Sequence, residues 1–336
     1  MTLGSKFYPT AVLAAAGFLA ATQVAPAQSP PPDTAAIWTL QDENASISTS
    51  SLTDRYYVNG LRLGYTSPEG EPPGPLAAIA NAMWDGGAVR FSFDLSQQIF
   101  TPADTQAFQP PPNDRPYAGI LVGTLGLVRD VPDSRSYLGL SLGVVGPDAL
   151  AQSVQNGFHD IIGQGHTNGW QDQIRNEPIV QFTSARTWRL AMGEVGGMET
   201  DALPDFAVGL GNERIYAQTG VLVRLGQGLE SDYGPARISP GPSGGDAFKP
   251  TRPFAWYVFA GADAQAVAYD ITLNGNNFEP SASVTPIPYV GEFEAGVGIM
   301  AFGTRLTYTQ VVQTAEFQHQ KGGLHQFGSL ALSMRF

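Results

Sequence analysis

The chain of 336 residues carries 18 Lys and Arg against 30 Asp and Glu, a formal net charge of -12, which leaves no basic footprint for nucleic acid. It has no cysteine, so neither disulfide staples nor thiol chemistry is available. A mean hydropathy of -0.09 suits a soluble protein, yet it equally suits a membrane barrel, whose lipid-facing residues alternate with polar lumen-facing ones.

Residues 1–27 read as a signal peptide: Lys6 precedes the apolar run AVLAAAGFLAA (11–21), and Ala25-Pro26-Ala27 has the small-x-small form of a cleavage site. The run is too short to span a bilayer as a helix, which takes about 20 residues. Export is therefore the expectation, with residues 28–336 as one domain.

From there the chain alternates apolar and polar residues in twelve segments: 36–41, 57–67, 88–100, 117–130, 136–146, 178–193, 204–212, 215–228, 253–267, 289–303, 305–318 and 326–336. Many reach the 9–11 residues that a tilted strand needs to cross a membrane. The last segment is the clearest. Leu330, Leu332, Met334 and Phe336 share one face while Ser329, Ala331, Ser333 and Arg335 share the other. Ending such a strand on Phe resembles the assembly signal of bacterial outer-membrane barrels; an ordinary half-buried strand of a soluble sandwich is the alternative.

The connections differ in length. Gly193 to Pro204 and Gly211-Asn212-Glu213 read as short turns, whereas 146–177 and 228–252 are long and rich in Gly, Pro and Asp, as expected of a barrel with turns at one rim and loops at the other. The fold class predicted is all-β: a transmembrane, antiparallel, up-and-down barrel of about twelve strands. Closure is required because an open edge in lipid leaves backbone groups unpaired. Tyr57, Tyr65, Trp188, Tyr257 and Tyr308 are candidates for the interfacial girdles. Arg62, Arg90, Asp94, Arg189 and Arg224 are expected to fill the lumen, against the alternative of a passive pore.

The loop 146–177 holds the one helix that the pattern predicts, with Leu150, Val154, Phe158, Ile161 and Ile162 at helical spacing. His159 borders this stripe and is placed to reach toward the barrel wall. Asp54-Arg55 and Asp114-Arg115 read as ion pairs inside the wall, or Arg55 and Arg115 as phosphate contacts. Trp170 and Asn176 are placed to brace the loop helix, and Glu177 is a further metal candidate. His166, His319 and His325 read as supporting or solvated loop residues.

ENASISTSSLTDRYYVNGLRLGY (43–65), NDRPYAG (113–119), GVVGPDALAQSVQNGFHDIIG (143–163) and GWQDQIRNEP (169–178), in this order and followed by a C-terminal Phe, resemble the lipid A 3'-O-deacylase family of outer-membrane barrels. The resemblance implies a calcium-dependent esterase that removes the acyloxyacyl chain at the 3' position of lipid A in lipopolysaccharide; a monomer is the default for this barrel class. Its site would lie at the outer-leaflet end of the barrel, between the wall and the loop helix. It implies His159 as general base and Asn44 as a second site residue and metal ligand, with Asp42 and Glu43 beside it as further candidate ligands. Arg55, Arg115 and Trp170 become candidate substrate contacts. Imidazole accepts a proton from water near neutral pH, and a divalent ion polarises an ester carbonyl.

Three positions depart from the family pattern. Ala45 stands where an acid supports the metal, Val58 where a hydroxyl follows the paired tyrosines, and Gly165 near where some members carry an acid after the histidine. Sliding the motif onto Gln41-Asp42 restores an amide-acid pair but reverses the strand's faces. Two readings follow for one scaffold: a hydrolase whose cation site is rebuilt from Asp42, Glu43, Asp54 or Asp160 with backbone carbonyls, and a barrel that binds or senses outer-leaflet lipid without cleaving it.

Overall fold

The computed structural model describes residues 32–48, 55–70, 72–238 and 244–336, so the expected signal peptide and Asp54 lie outside the described residues. Within Pro32–Phe336, the chain forms one continuous antiparallel sheet. The strands are β1 (Ile37–Asn44), β2 (Tyr56–Thr66), β3 (Ala88–Thr101), β4 (Ala118–Val131), β5 (Ser134–Val145), β6 (Glu177–Trp188), β7 (Leu190–Val195), β8 (Met198–Gly211), β9 (Arg214–Gln227), β10 (Phe254–Asp270), β11 (Tyr289–Ala301), β12 (Thr304–Gln313) and β13 (His325–Arg335). Each pairs with its chain neighbours except β6 with β7, β1 pairs with β13, and β6 pairs with β8, which closes the ring.

The thirteenth strand is an interruption rather than an addition. Thr187 pairs with Asp205 and Leu190 with Ala202, so β6 continues into β7 along β8 in one register across a break at Trp188-Arg189, with a bulge further on between Ala191 and Gly193. Pro204, which has no N–H to give a ladder, lies opposite the break. The expected turn from Gly193 to Pro204 is thus a hairpin turning at Gly196-Gly197, with Pro204 inside β8. Counted as a wall, the barrel has twelve strands.

Side chains alternate across that wall. Leu330, Leu332 and Met334 face outward and are exposed, while Ser329, Ala331 and Ser333 are buried, as their pattern predicts. Of the girdle candidates, Tyr65, Trp188 and Tyr308 sit outside. Tyr57 and Tyr257 do not. Both are buried in the lumen, where their hydroxyls donate to Glu43 and Asp232 at 2.9 Å. His325, expected to be solvated, is buried too, its Nε2 3.1 Å from the Tyr57 carbonyl.

The loop between β9 and β10 departs from expectation in its placement. It leaves from the rim that carries both ends of the described barrel, the side of the short turns at 132–133, 196–197 and 302–303, and it folds back into the lumen. Leu229, Tyr233, Ala247 and Phe248 pack on the inward residues Leu203, Leu222, Tyr257 and Met300. Charge pairs seal it. Arg224 and Arg305 hold Asp232 at 2.6 and 3.1 Å, Arg62 bridges Asp246 and Asp94 at 2.7 Å, and Arg237 reaches Glu43, Glu292 and Glu294 at 3.2, 3.3 and 2.6 Å. Burial alone would raise the Asp232 carboxyl, but Arg224 and Arg305 hold it below its usual range. Beside the plug lies a cavity of ≈ 270 Å³ lined by residues such as Arg62, Asp94, Tyr137 and Asp205, with a smaller one of ≈ 160 Å³ toward the long-loop rim. A lumen occupied in this way argues against a passive pore.

The pairing of Arg237 is the sharpest energetic test of this plug. Removing one partner of a buried ionic cluster leaves uncompensated charge at a cost of about 3–5 kcal/mol. Arg237→Met, which keeps the bulk, is expected to lower the urea midpoint of the folded barrel by that equivalent, read by loss of heat-modifiable gel migration.

Candidate functional site

The outward surface at the long-loop rim carries polar groups where lipid-facing residues would be apolar. Along β1, Trp38 and Leu40 are exposed outward, and the same parity places Asp42 and Asn44 outward with Asn59 of β2. Asn59 donates from its amide to Asp42 Oδ1 at 2.9 Å. Asn44 Oδ1 accepts from the amide and the hydroxyl of Ser46 at 2.7 and 2.5 Å, capping the helical turn Ala45–Ile47. Glu43 has the opposite parity. It points into the lumen, on Arg237 and Tyr57, so it does not join Asp42 and Asn44.

One register row crosses four strands from Asn44 to the loop helix: Asn44 opposite Asn59, Asn59 opposite Ile99, and Ile99 opposite Gly119. At strand spacing this is about 14 Å. Gly119 ends it for a steric reason, since a Cβ there would stand 2.4 Å from Ala151 Cβ, so only glycine lets the helix close on the wall. The first helix of the fold, α1 (Pro75–Met83), lies at the opposite rim, and the loop helix is α2 (Ala151–Ile162). Both expected and found, α2 ends on Gly163 in the left-handed conformation at φ 71°. Outward-facing Gln97 donates to Ala149 O at 2.6 Å just before it starts.

The faces of α2 are inverted relative to a helix on a soluble core. Ala151, Gln155 and His159, spaced by four, are the buried stripe, whereas Leu150, Val154, Phe158, Ile161 and Ile162 are exposed, Ile161 at 83%. On the outer surface of a barrel this is the expected arrangement: the apolar stripe meets acyl chains and the polar stripe turns inward. His159 is 6% exposed, and its Nδ1 lies 2.8 Å from the Gly165 carbonyl. Because a carbonyl only accepts, Nδ1 carries the proton and Nε2 is the basic nitrogen of the neutral ring.

The segment after the helix is tied down by a residue not singled out in the sequence. Thr167 Oγ1 lies 3.2 Å from Gln155 Oε1 and 2.9 Å from Asn156 Oδ1, and it accepts from Trp170 Nε1 at 2.9 Å. Trp170 in turn packs against Tyr117 with the rings tilted, centroids 4.5 Å apart, within a cluster of Ile99, Tyr117 and Ala151. Trp170 is fully buried, so it serves as the brace and is not a substrate contact. Asn176 adds its part by accepting from the Asp148 amide at 2.9 Å.

Other expected site residues fall elsewhere. Arg115 is fully buried and bonded to Glu316 and Thr272 at 2.5 and 2.7 Å, with Phe100 beneath it, so neither a phosphate contact nor a pair with Asp114 is available to it. Arg55 stacks over Tyr56 at the rim. Glu177 holds Asn212 and Asn277, and His166 pairs in the open with Asp160 at 2.7 Å. Ala45 and Val58 are both buried, Val58 within a β-bulge between Tyr57 and Asn59. Neither offers a side-chain oxygen. Among the described residues no group of three or more His, Asp or Glu converges to hold a metal ion.

Comparison with known proteins gives the following. Residues 12–336 match the family model for outer membrane protein LpxR. Among solved structures, LpxR from Salmonella typhimurium aligns with a TM-score of 0.74 at 23% identity, covering 89% of this chain and 100% of that one. The β domain of the Bordetella autotransporter Brka aligns at a TM-score of 0.39 and 11% identity, covering 91% and 98%. The translocator domain of NalP from Neisseria meningitidis aligns at 0.37 and 9%, covering 90% and 88%. No curated protein matches. The likeness to the Salmonella structure supports the barrel itself.

Thr167 concentrates three hydrogen bonds in one hydroxyl. Thr167→Val keeps the shape and leaves the Trp170 indole N–H and the Gln155 side chain without that partner, at about 1–3 kcal/mol each for a buried group. Hydrogen exchange across 151–170 is expected to quicken in this variant while the strands keep wild-type protection.

Proposed function

The chain belongs to the outer membrane protein LpxR family, and from that premise and the geometry of α2 against the wall we propose that it is a lipid A deacylase, hydrolysing the 3'-linked acyloxyacyl ester with His159 as general base. The observation that carries this reading is the orientation of His159. The ring is held from Nδ1 by the Gly165 carbonyl, on the polar stripe of a helix whose other face is apolar. A lipid ester approaching from the outer leaflet meets the apolar stripe first and the imidazole beneath it.

The chemistry needs no nucleophilic side chain. Nε2 takes a proton from water as the water oxygen attacks the ester carbonyl carbon, and the same proton then passes to the departing alkoxide oxygen as the C–O bond breaks. Gln155, one turn earlier, and Thr167 fix the underside of the helix so that the imidazole has one position.

Among the described residues, which leave out Asp54, the donors do not fit a calcium ion held as the family resemblance implies. Calcium takes 6–8 oxygen ligands. Ala45, Val58 and Gly165 supply no side-chain oxygen, Asn44 Oδ1 is engaged by Ser46, and Asp42 is engaged by Asn59. No step is therefore routed through calcium. The same two aliphatic residues favour a second reading, in which the barrel binds outer-leaflet lipid without cleaving it.

Mass spectrometry of lipid A from cells expressing the protein separates the readings. Loss of the 3' acyloxyacyl chain is expected, with a 10²–10⁴-fold slower loss in His159→Ala, the usual range for a general base. Intact lipid A beside a folded, membrane-inserted barrel supports the second reading. Calcium addition and chelation belong in the same series, and Ala45→Asp with Val58→Thr is expected to raise both the rate and its dependence on calcium.

A further inference from the structure

α1 was not foreseen from the pattern, and its position is informative. On β3, β4 and β5 the outward residues form rows across the wall. Phe93, Leu125, Leu140 and Phe182 make one row, and all four are exposed. Phe91, Leu127 and Leu138 make the next row toward the short-turn rim, with the same outward parity, yet Leu127 and Leu138 are buried. What buries them is α1: Ala80, Leu76 and Trp84 pack on Leu127, Leu138, Val89 and Phe91. The helix therefore lies on the lipid-facing surface of the barrel, outside the lumen.

Its free face continues that surface. No charged residue occurs from Pro75 to Trp84. Ile79 and Met83, one turn apart, are 47% and 56% exposed. Asn81, its one polar side chain between Pro75 and Met83, is exposed and about 200° around the helix from Ile79. The height also agrees. Along β3, Phe91 under α1 and Ile99 under α2 are eight residues apart, about 27 Å of strand and about 21 Å of height at a tilt near 40°. An outer-membrane barrel shows an apolar band about 25 Å tall. The two helices thus bracket the band on one sector, one at each end.

We propose that α1 is an interfacial helix that lies in the inner leaflet of the outer membrane, with Ile79 and Met83 against phospholipid acyl chains and Asn81 turned to the periplasmic water. Continuity with the exposed rows of β3–β5 identifies the occupant as lipid. The inference is independent of any catalytic role for α2.

Because the chain has no cysteine, single substitutions report single positions. Ile79→Cys, Met83→Cys, Asn81→Cys and, as a reference in the lipid-facing belt, Leu125→Cys are labelled with bimane in the full barrel. Each is placed in phosphatidylcholine vesicles with brominated acyl chains, and folding is verified by heat-modifiable migration. Quenching by bromine at 79 and 83 is expected to come within twofold of that at 125, with position 81 quenched several-fold more by aqueous iodide than by bromine. Iodide quenching at 79 and 83 equal to that at 81, with 125 protected, overturns the placement. Equal bromine quenching at 79, 81 and 83 overturns the orientation.

Discussion

A sheet whose outer face meets lipid cannot have an edge, and the rest of the molecule follows from that constraint. In water an unpaired strand edge finds solvent; in hydrocarbon each lone N–H or C=O costs several kcal/mol. The ring closes twice over, through β1 with β13 and through β6 with β8, and it tolerates Pro204 only where β6 breaks. Closure divides every strand into an inward and an outward set with a period of two. That period separates Glu43 from Asn44, adjacent in the chain and on opposite sides of the wall. One of them neutralises Arg237 in the lumen, and the other faces outward near the rim.

The lumen and the outer surface then answer to different solvents. Inside, the barrel encloses charges that cannot reach bulk water, so each buried arginine is surrounded by carboxylates and carbonyls: Arg62, Arg224, Arg237 and Arg305 each bridge wall to plug. Outside, the same logic reverses amphipathicity. A helix on a soluble core buries leucine and exposes glutamine, but α2 buries Gln155 and His159 and exposes Phe158 and Ile161, because the medium around it is the apolar phase. Such a helix leaves its polar groups no partner except one another and the wall, which accounts for the load on Thr167, Trp170 and Gln97.

Much of this was legible in the chain and some was not, for identifiable reasons. Alternation marked the strands, the outward face of β13 and the position of α2, since period and parity are local. Loop length alone could not say that residues 228–252 enter the lumen, because a loop rich in Gly, Pro and Asp reads the same at either rim. Tyr57 and Tyr257 have the composition of a girdle; Tyr257 is marked as inward by its parity, opposite to Val258, whereas Tyr57 shares the parity of Leu61 and is turned inward by the bulge at Val58, which the pattern does not reveal. The same parity could have found Asn59, which shares a face with Leu61 and Leu63 and with Asp42 across the strand. α1 is hard to read from the pattern because its large apolar residues, Leu76, Ile79 and Met83, are few and Pro72, Pro73, Gly74 and Pro75 precede them. His325 reads as solvated from its loop setting, whereas its burial comes from distant strands; Arg115 is inside the wall as its pattern suggests, but its carboxylate partner is the distant Glu316 rather than the adjacent Asp114.

The three departures from the family pattern have a structural meaning beyond the missing oxygens. Ala45 and Val58 are buried, so a carboxylate or hydroxyl in either place must find a partner or forfeit its solvation, at about 1–3 kcal/mol for a hydroxyl and more for a charge. Where a cation sits, it is that partner; where none sits, alanine and valine are the stable choice. Packing at the rim is thus consistent with aliphatic residues in a way that it would not be with polar ones lacking an ion. Nothing comparable has happened at His159, whose Nδ1 contact, buried stripe and brace through Thr167 and Trp170 are intact. His159 is oriented by its Nδ1 contact, whereas among the described residues the implied metal positions bring no convergent set of donors; under the proposed hydrolysis, oxyanion stabilisation would then come from backbone N–H groups or neutral amides.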